Sequence, residues 1–512
     1  MISLSYTLAL VTSLLQGAST DAPQAKPQDK PTAGVALTVY SSADPASFDP
    51  QRWMQQQRQG NDNVWGVPGY GVVKVVRSVE MPKGSGVLSF TDVAAWIDPT
   101  TVAFLDLDDP KTTVIEQSFQ FDLVSPSKLT ERYLGRQVVI RSPIADTFSV
   151  YEGTLLSATQ GQFVVQMEDG VHIVSATGAQ ITLGELPGGL LTKPTLNWKI
   201  ANSSGGTHLT RTTYQTAGMT WRADYNLVLD GTDSAADMSA WVTLMNLSGA
   251  SFMDADLKLV AGDVHRIEPQ GGGSGGRMLG APRVMAMADE GGFEEKSFFE
   301  YHLYTLPRKT DVLQNSSQQI ALFPPVANFK VVKEMIFDFT GGMGVSSEPM
   351  MDRAFVFGAQ GKPSVFVHFE NKKDEGLGMP MPAGKVRVYK IDPADDTLEF
   401  IGEDLIAHTP RNETVRIKLG EAFDVVGERT RTDFQLDSAA KRMSETFRIE
   451  VRNQKSTTQS VVVLERMFRW TNWKIEKASA KFDKKDASTV AFSVDVPAEG
   501  KKVIEYTVQY SW

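Results

Sequence analysis

Apolar and polar residues alternate at period two along much of this sequence, the pattern of half-buried β-strands. In WRADYNLVL, the residues Trp221, Ala223, Tyr225, Leu227 and Leu229 fall on one face. SETFRIEVRN sets Phe447, Ile449 and Val451 against Arg448, Glu450 and Arg452. The closing VIEYTVQYSW alternates Ile504, Tyr506, Val508, Tyr510 and Trp512 with polar neighbours, and QSFQFDLV places Phe119, Phe121 and Leu123 together. In QFVVQMEDGVHIV, Asp169-Gly170 stands between two alternating runs and predicts a hairpin with that pair in the turn. Helical periodicity is scarce and no heptad repeat is visible. A mainly β fold of sandwiches and small barrels follows.

Turn signals divide the chain. Five short strands between Tyr133 and Pro187 suit a small SH3- or Sm-like barrel. The expected order is a signal peptide (1–20), a Pro-rich linker (21–33), an N-terminal β-module (34–127), the small β-barrel (128–192) and two β-sandwiches (193–345 and 346–512). Within the β-module, 43–63 reads as a polar loop or short helix. GGGSGG lies at 271–276 in a stretch, 268–295, that lacks apolar periodicity and reads as a disordered insertion in the first sandwich.

The N-terminus carries an apolar run from Leu4 to Leu15 followed by Gly17, Ala18 and Ser19, the layout of an export signal, although no Lys or Arg precedes Lys26. An ordinary unstructured terminus is the alternative. No other run is long enough to cross a membrane as a helix, so no transmembrane segment is expected in the mature chain. With no Cys among 512 residues, disulfides, thiolate nucleophiles and Cys-bound metal are excluded. The formal charge of −10 argues against nucleic acid as a partner.

Candidate chemistry is sparse. The six His residues lie far apart in sequence and form no local metal motif, so no metal or other cofactor is expected. Asp263 with His265, and Glu300 with His302, are spaced to share a strand face. Asp106, Asp108 and Asp109 begin like a calcium loop, but Lys111 and Gln117 occupy the positions that need Gly and Glu. The densest stretch is GEDLIAHTPRNETV, residues 402–415. One reading makes it a polar site, with His408 as a base, Glu403 and Glu413 as carboxylates and Arg411 as an anion clamp. The other makes it a β-hairpin whose Thr-Pro-Arg-Asn turn carries solvated or cross-strand charges.

Several long strings support a family resemblance. TLNWKI, TYQTAGMTWRADYNLVLD and WVTLMNLSGASFMDADLKLVAGDV lie in the middle of the chain. EYHLYTL follows, then PAGKVRVYK, GEDLIAHTPRNETVRIKLGEAFDVVGERT, RNQK and the closing EYTVQYSW. Over about 190–512 the chain resembles the domain of unknown function 4139 family, which includes mucoidy-inhibitor-like bacterial proteins. YGVVKVVRSVEMPKGSGVLSFTDVAAWIDPTTVAF resembles the β-module that precedes that domain. The resemblance implies a bacterial, often exported, β-rich protein, with no catalytic residue to carry over. The chain departs from a common family layout in lacking a coiled coil between the two parts. Trp221 and Tyr225 would fill a core, Gly249 suits a tight turn, and Glu413, Glu421 and Asp424 could pair with Arg411, Arg416 or Arg429 on an exposed sheet face.

The functional expectation is an exported, non-enzymatic binding or scaffold protein of the cell envelope, contacting an envelope protein or glycan. The alternative is an envelope hydrolase or polysaccharide-modifying enzyme using carboxylates and His408.

Overall fold

The computed structural model describes residues 32–41, 48–58, 64, 66–121, 124–144, 147–159, 161–185, 191–262, 293–298, 301–340, 344–355, 360–392 and 394–512. The signal peptide, nearly all of the linker, and most of the Gly-rich insertion lie outside them. Among the described residues two α-helices accompany the strands, Pro50–Arg58 within the expected polar segment and Pro126–Arg132. Ser125 caps the second, accepting from the Lys128 amide at 3.3 Å. The fold is mainly β, as the alternation predicts.

Six sheets are formed by the described residues. An eight-stranded sheet collects Gly34–Tyr40, Tyr70–Met81 and Ile97–Asp106 with Gly206–Thr216, Phe252–Ala261 and three short strands from 294–312. A three-stranded sheet sets Thr195–Asn202 between Gly84–Thr91 and Thr113–Gln120. Strand pairing therefore runs across the boundaries read from the sequence. The 34–127 segment is not a separate layer: Gly34–Tyr40 lies parallel to Phe252–Ala261, and Trp221 donates to the Val39 carbonyl at 3.1 Å. Linear turn spacing could not reveal this, because parallel partners are joined by long connections.

The central sheet has five strands: Ser316–Lys330, Ala235–Asn246, Met219–Leu229, Gly384–Ile391 and Leu398–Ile406. Its last two come from beyond residue 346, and Gly384–Ile391 pairs parallel with Met219–Leu229. Conversely, the chain leaves this sheet at Val331, and Val332–Asp338 joins a six-stranded sheet with Thr414–Glu421, Ser364–Glu370, Gln459–Arg466, Thr489–Val496 and Asp483–Lys484. Asp233 pins this crossing, pairing with Lys333 at 2.6 Å and with Lys390. A five-stranded C-terminal sheet, built on Val425–Asp437, Arg442–Asn453 and Gly500–Ser511, packs against the six-stranded one.

Two large cores result. One joins the eight-stranded, three-stranded and central sheets through Trp198, Tyr214, Trp221 and Tyr225; the other lies between the last two sheets around Phe447, Phe492 and Tyr506. Each fully buried large apolar side chain contributes about 1.5–3 kcal/mol. The predicted inward faces at 221–229, 447–451 and 504–510 are all buried. Phe121 is not, at 64% exposure, because its strand ends at Gln120. Gly249 makes the expected turn at φ +85°, and a Cβ there would meet the Ala95 Cβ at 2.3 Å, so only glycine fits.

The small module is one five-stranded sheet over 137–182, curled round Ile140, Leu155 and Val165. Its end strands, Gly170–Ser175 and Gln180–Thr182, are not paired with each other among the described residues, so closure into a barrel is not observed. The hairpin forms with Met167 opposite Gly170, which puts Glu168-Asp169 in the turn, one residue before the expected pair.

Candidate functional site

The charged stretch 402–415 is a corner between sheets and not a hairpin. Leu398–Ile406 pairs with Gly384–Ile391 in the central sheet, whereas Thr414–Glu421 pairs with Ser364–Glu370 in the six-stranded one. Between them Asn412 adopts a left-handed φ of +64°, a conformation Asn tolerates. Buried Asn371 holds the corner: its Nδ2 donates to the carbonyls of Met379 at 2.7 Å and Pro410 at 3.0 Å, and its Oδ1 accepts from the Gly378 amide at 2.8 Å.

The corner disperses the four predicted site residues. Glu403 points along the central sheet to Lys385 at 3.2 Å and Arg387 at 3.8 Å. Exposed His408 accepts from the Ala383 amide at 3.1 Å through Nδ1. The Glu413 side chain is exposed, and its carbonyl accepts from the Asn371 amide. Of the four, only Arg411 lines the principal groove. The anticipated ladder of Glu413, Glu421 and Asp424 with three arginines also takes other partners. Arg411 pairs with Glu295, Arg416 with Glu334 and buried Arg429 with Glu465.

The groove, about 770 Å³, runs between the segment Phe323–Ala327 and the loop Asn371–Met381. Phe293, Phe323, Leu377, Met379 and Met381 give it apolar walls. Pro324 and Pro325 stand exposed on one rim, where the pairing of Ser316–Lys330 with Ala235–Asn246 shifts register. Gly376 and Gly378, at φ +79° and +92°, turn the opposite wall. Two buried tyrosines brace that wall from below: Tyr304 donates to the Pro380 carbonyl at 2.9 Å and Tyr225 to the Pro382 carbonyl at 2.8 Å. Burial pushes both phenols well above their ordinary pKa, so they remain neutral donors.

Behind the groove, buried Glu295 accepts from Arg411 Nη2 at 2.7 Å and lies 2.8 Å from His302 Nδ1. Burial alone would raise the Glu295 pKa. The hydrogen bond from His302, with the charges of His302 and Arg411, outweighs it and holds the carboxylate below its usual range. His302 thus pairs with Glu295; Glu300, the partner its spacing suggested, lies with Asp263 and His265 outside the described residues. Residues 293–295 were expected at the end of the disordered insertion. Phe293 and Glu295 are buried instead, and no period-two pattern in Glu294-Glu295-Lys296-Ser297 marks it.

A second polar cluster was not visible in the sequence. His208 Nδ1 lies 2.6 Å from Asp106 Oδ2, and His208 Nε2 lies 3.4 Å from the exposed Ser204 hydroxyl. The order is that of a Ser-His-Asp triad. Yet the Ser204 and Gly205 amides both donate to Asn202 Oδ1, at 3.0 and 2.6 Å, so the turn directs neither at a developing oxyanion. The Ser204 hydroxyl is also within 3.2 Å of Asp109 Oδ2. Asp106 accepts further from Thr112 and from the amides of Asp108 and Asp109. This arrangement locks the 106–113 corner to the 202–208 turn. Among the described residues no group of three or more His, Cys, Asp or Glu could hold a metal ion, and no helix is long and apolar enough to cross a membrane.

No family model matches the chain. No curated protein matches it either.

Proposed function

We propose that this chain is an exported, non-enzymatic binding or scaffold protein of the bacterial cell envelope that holds a segment of a partner protein in the groove between Phe323–Ala327 and Asn371–Met381. The observation that carries the reading is the groove itself: about 770 Å³, with apolar walls on rigid strands and a loop fixed by Asn371, Tyr225 and Tyr304. Ligand sites have this size and this mixture of apolar lining with few polar groups. A glycan would need free polar groups converging on its hydroxyls, but both ends of the Asn371 amide are spent on the loop. The hydrolase alternative needs two carboxylates flanking a scissile bond, and Glu403 and Glu413 do not line the groove. The N-terminal apolar run and the resemblance to the domain of unknown function 4139 family support export.

The test is photo-crosslinking of the full-length chain in envelope extract, comparing wild type with Met379→Glu, which puts a charge on the apolar wall. Loss of one defined crosslinked partner on Met379→Glu is expected; an unchanged pattern would remove the groove from the reading. Sequencing the N-terminus of the mature protein tests export. An intact Met1 in the cytoplasmic fraction would overturn that part.

A further inference from the structure

We propose that the partner segment recognised by the groove is apolar with an acidic residue beside the apolar ones, its carboxylate seated against Arg411 and Lys373. The inference rests on the groove reading above. Among the described residues, the charged side chains lining the groove are Arg411 and Lys373, both cationic. Glu295, the nearest buried acid to Arg411, is engaged by His302 and Arg411 from behind. Its bond to Nη2 fixes the guanidinium in place, and an oriented guanidinium is suited to a carboxylate.

The walls select the rest of the ligand. Met379, Met381 and Leu377 offer adaptable apolar contact, and thioethers conform to side chains of varied shape. Strand addition at the opposite rim is disfavoured, because Pro324 and Pro325 have no amide to donate. Recognition therefore proceeds through side chains and charge. The groove is open to solvent along one side and partly polar, which fits a peptide whose backbone stays hydrated better than a buried acyl chain.

The experiment pans a phage-displayed library of short random peptides against the full-length chain and measures the affinity of enriched peptides by fluorescence anisotropy. The expected pool carries Asp or Glu next to large apolar residues, and Met379→Glu abolishes its binding. Arg411→Lys and Lys373→Gln are each expected to weaken it about tenfold at low salt, with the difference from wild type narrowing at high salt. Lys373 is exposed, so its substitution leaves the fold intact, which a thermal melt verifies. Peptides that require Met379 but lack an acid, or ignore both cation substitutions, would overturn the inference and leave the groove reading standing. A pool indifferent to Met379→Glu would overturn both.

Discussion

His208 Nδ1 and Asp106 Oδ2 lie 2.6 Å apart, both side chains buried, joining two turns that are 102 residues apart in sequence. The hydrogen bond to Asp106 raises the His208 pKa against the effect of burial. Burial would raise that of Asp106, but the bonds from His208, the Asp109 amide and Thr112 lower it.

The sign of the resulting pH dependence follows from these two directions. A raised His208 pKa contributes stability that is complete below the ordinary imidazole value of 6.5 and lost as pH rises through the folded value. A lowered Asp106 pKa contributes stability present above the ordinary 3.8 and lost as pH falls through the folded value. The pair stabilises most in mildly acidic solution. Thermal melts of His208→Asn and wild type should differ most near about pH 5 and converge in alkaline buffer. A constant difference across pH would contradict this.

Arg429 and Glu465 form a buried pair between the six-stranded and C-terminal sheets. Arg429 Nε is 2.9 Å from both carboxylate oxygens, its Nη2 is 2.8 Å from Oε2, and its guanidinium lies 3.7 Å above the Phe447 ring. Removing one charge leaves the other buried alone, so Arg429→Met is expected to lose about 3–5 kcal/mol in urea unfolding. The double substitution with Glu465→Leu should recover most of that loss.

Arg469 fastens the segment 350–355. It donates to the carbonyls of Met350, Asp352 and Phe355 at 2.8–2.9 Å while Nε holds Glu445 at 2.7 Å. Lysine cannot reproduce this fork. Limited proteolysis of Arg469→Lys should cut within 344–355 several times faster than wild type, with the rest of the digest unchanged.

Gly378 tests the groove wall. At φ +92°, a Cβ would stand 2.7 Å from the Lys373 backbone nitrogen, so Gly378→Ala both strains the backbone and moves the loop. Destabilisation of about 1–3 kcal/mol is expected, together with weakened capture of the crosslinked partner. Unchanged capture would place the ligand elsewhere.

The small curled sheet is expected to be dispensable for the main fold. Its core is separate from the others, and the Val124 amide donates to the Leu191 carbonyl at 2.9 Å where the chain enters and leaves. Replacing 126–189 with a short Gly-Ser linker should leave cooperative unfolding of the remainder in place. Loss of soluble protein would show that the insert supports the larger core.

Strand identity and inward faces were legible because they are local. Period-two alternation sets Trp221 and Tyr225, or Phe447 and Ile449, on one side of a strand whatever that strand pairs with. Gly249 was legible for the same reason, its turn being written in neighbouring residues. Pairing across long separations was not. Nothing beside Gly384–Ile391 in the sequence says that it lies parallel to Met219–Leu229, or that the next strand leads through a corner at Arg411 into another sheet. That corner decided the site. It turned a charged stretch that looked like one constellation into separate contacts, and it brought Arg411 to Glu295, a residue that composition had assigned to a disordered insertion. The sequence by itself determined which residues are buried in strands; the tertiary structure alone decided which charges meet, because ion pairs and grooves form between elements whose separation along the chain carries no periodic signal.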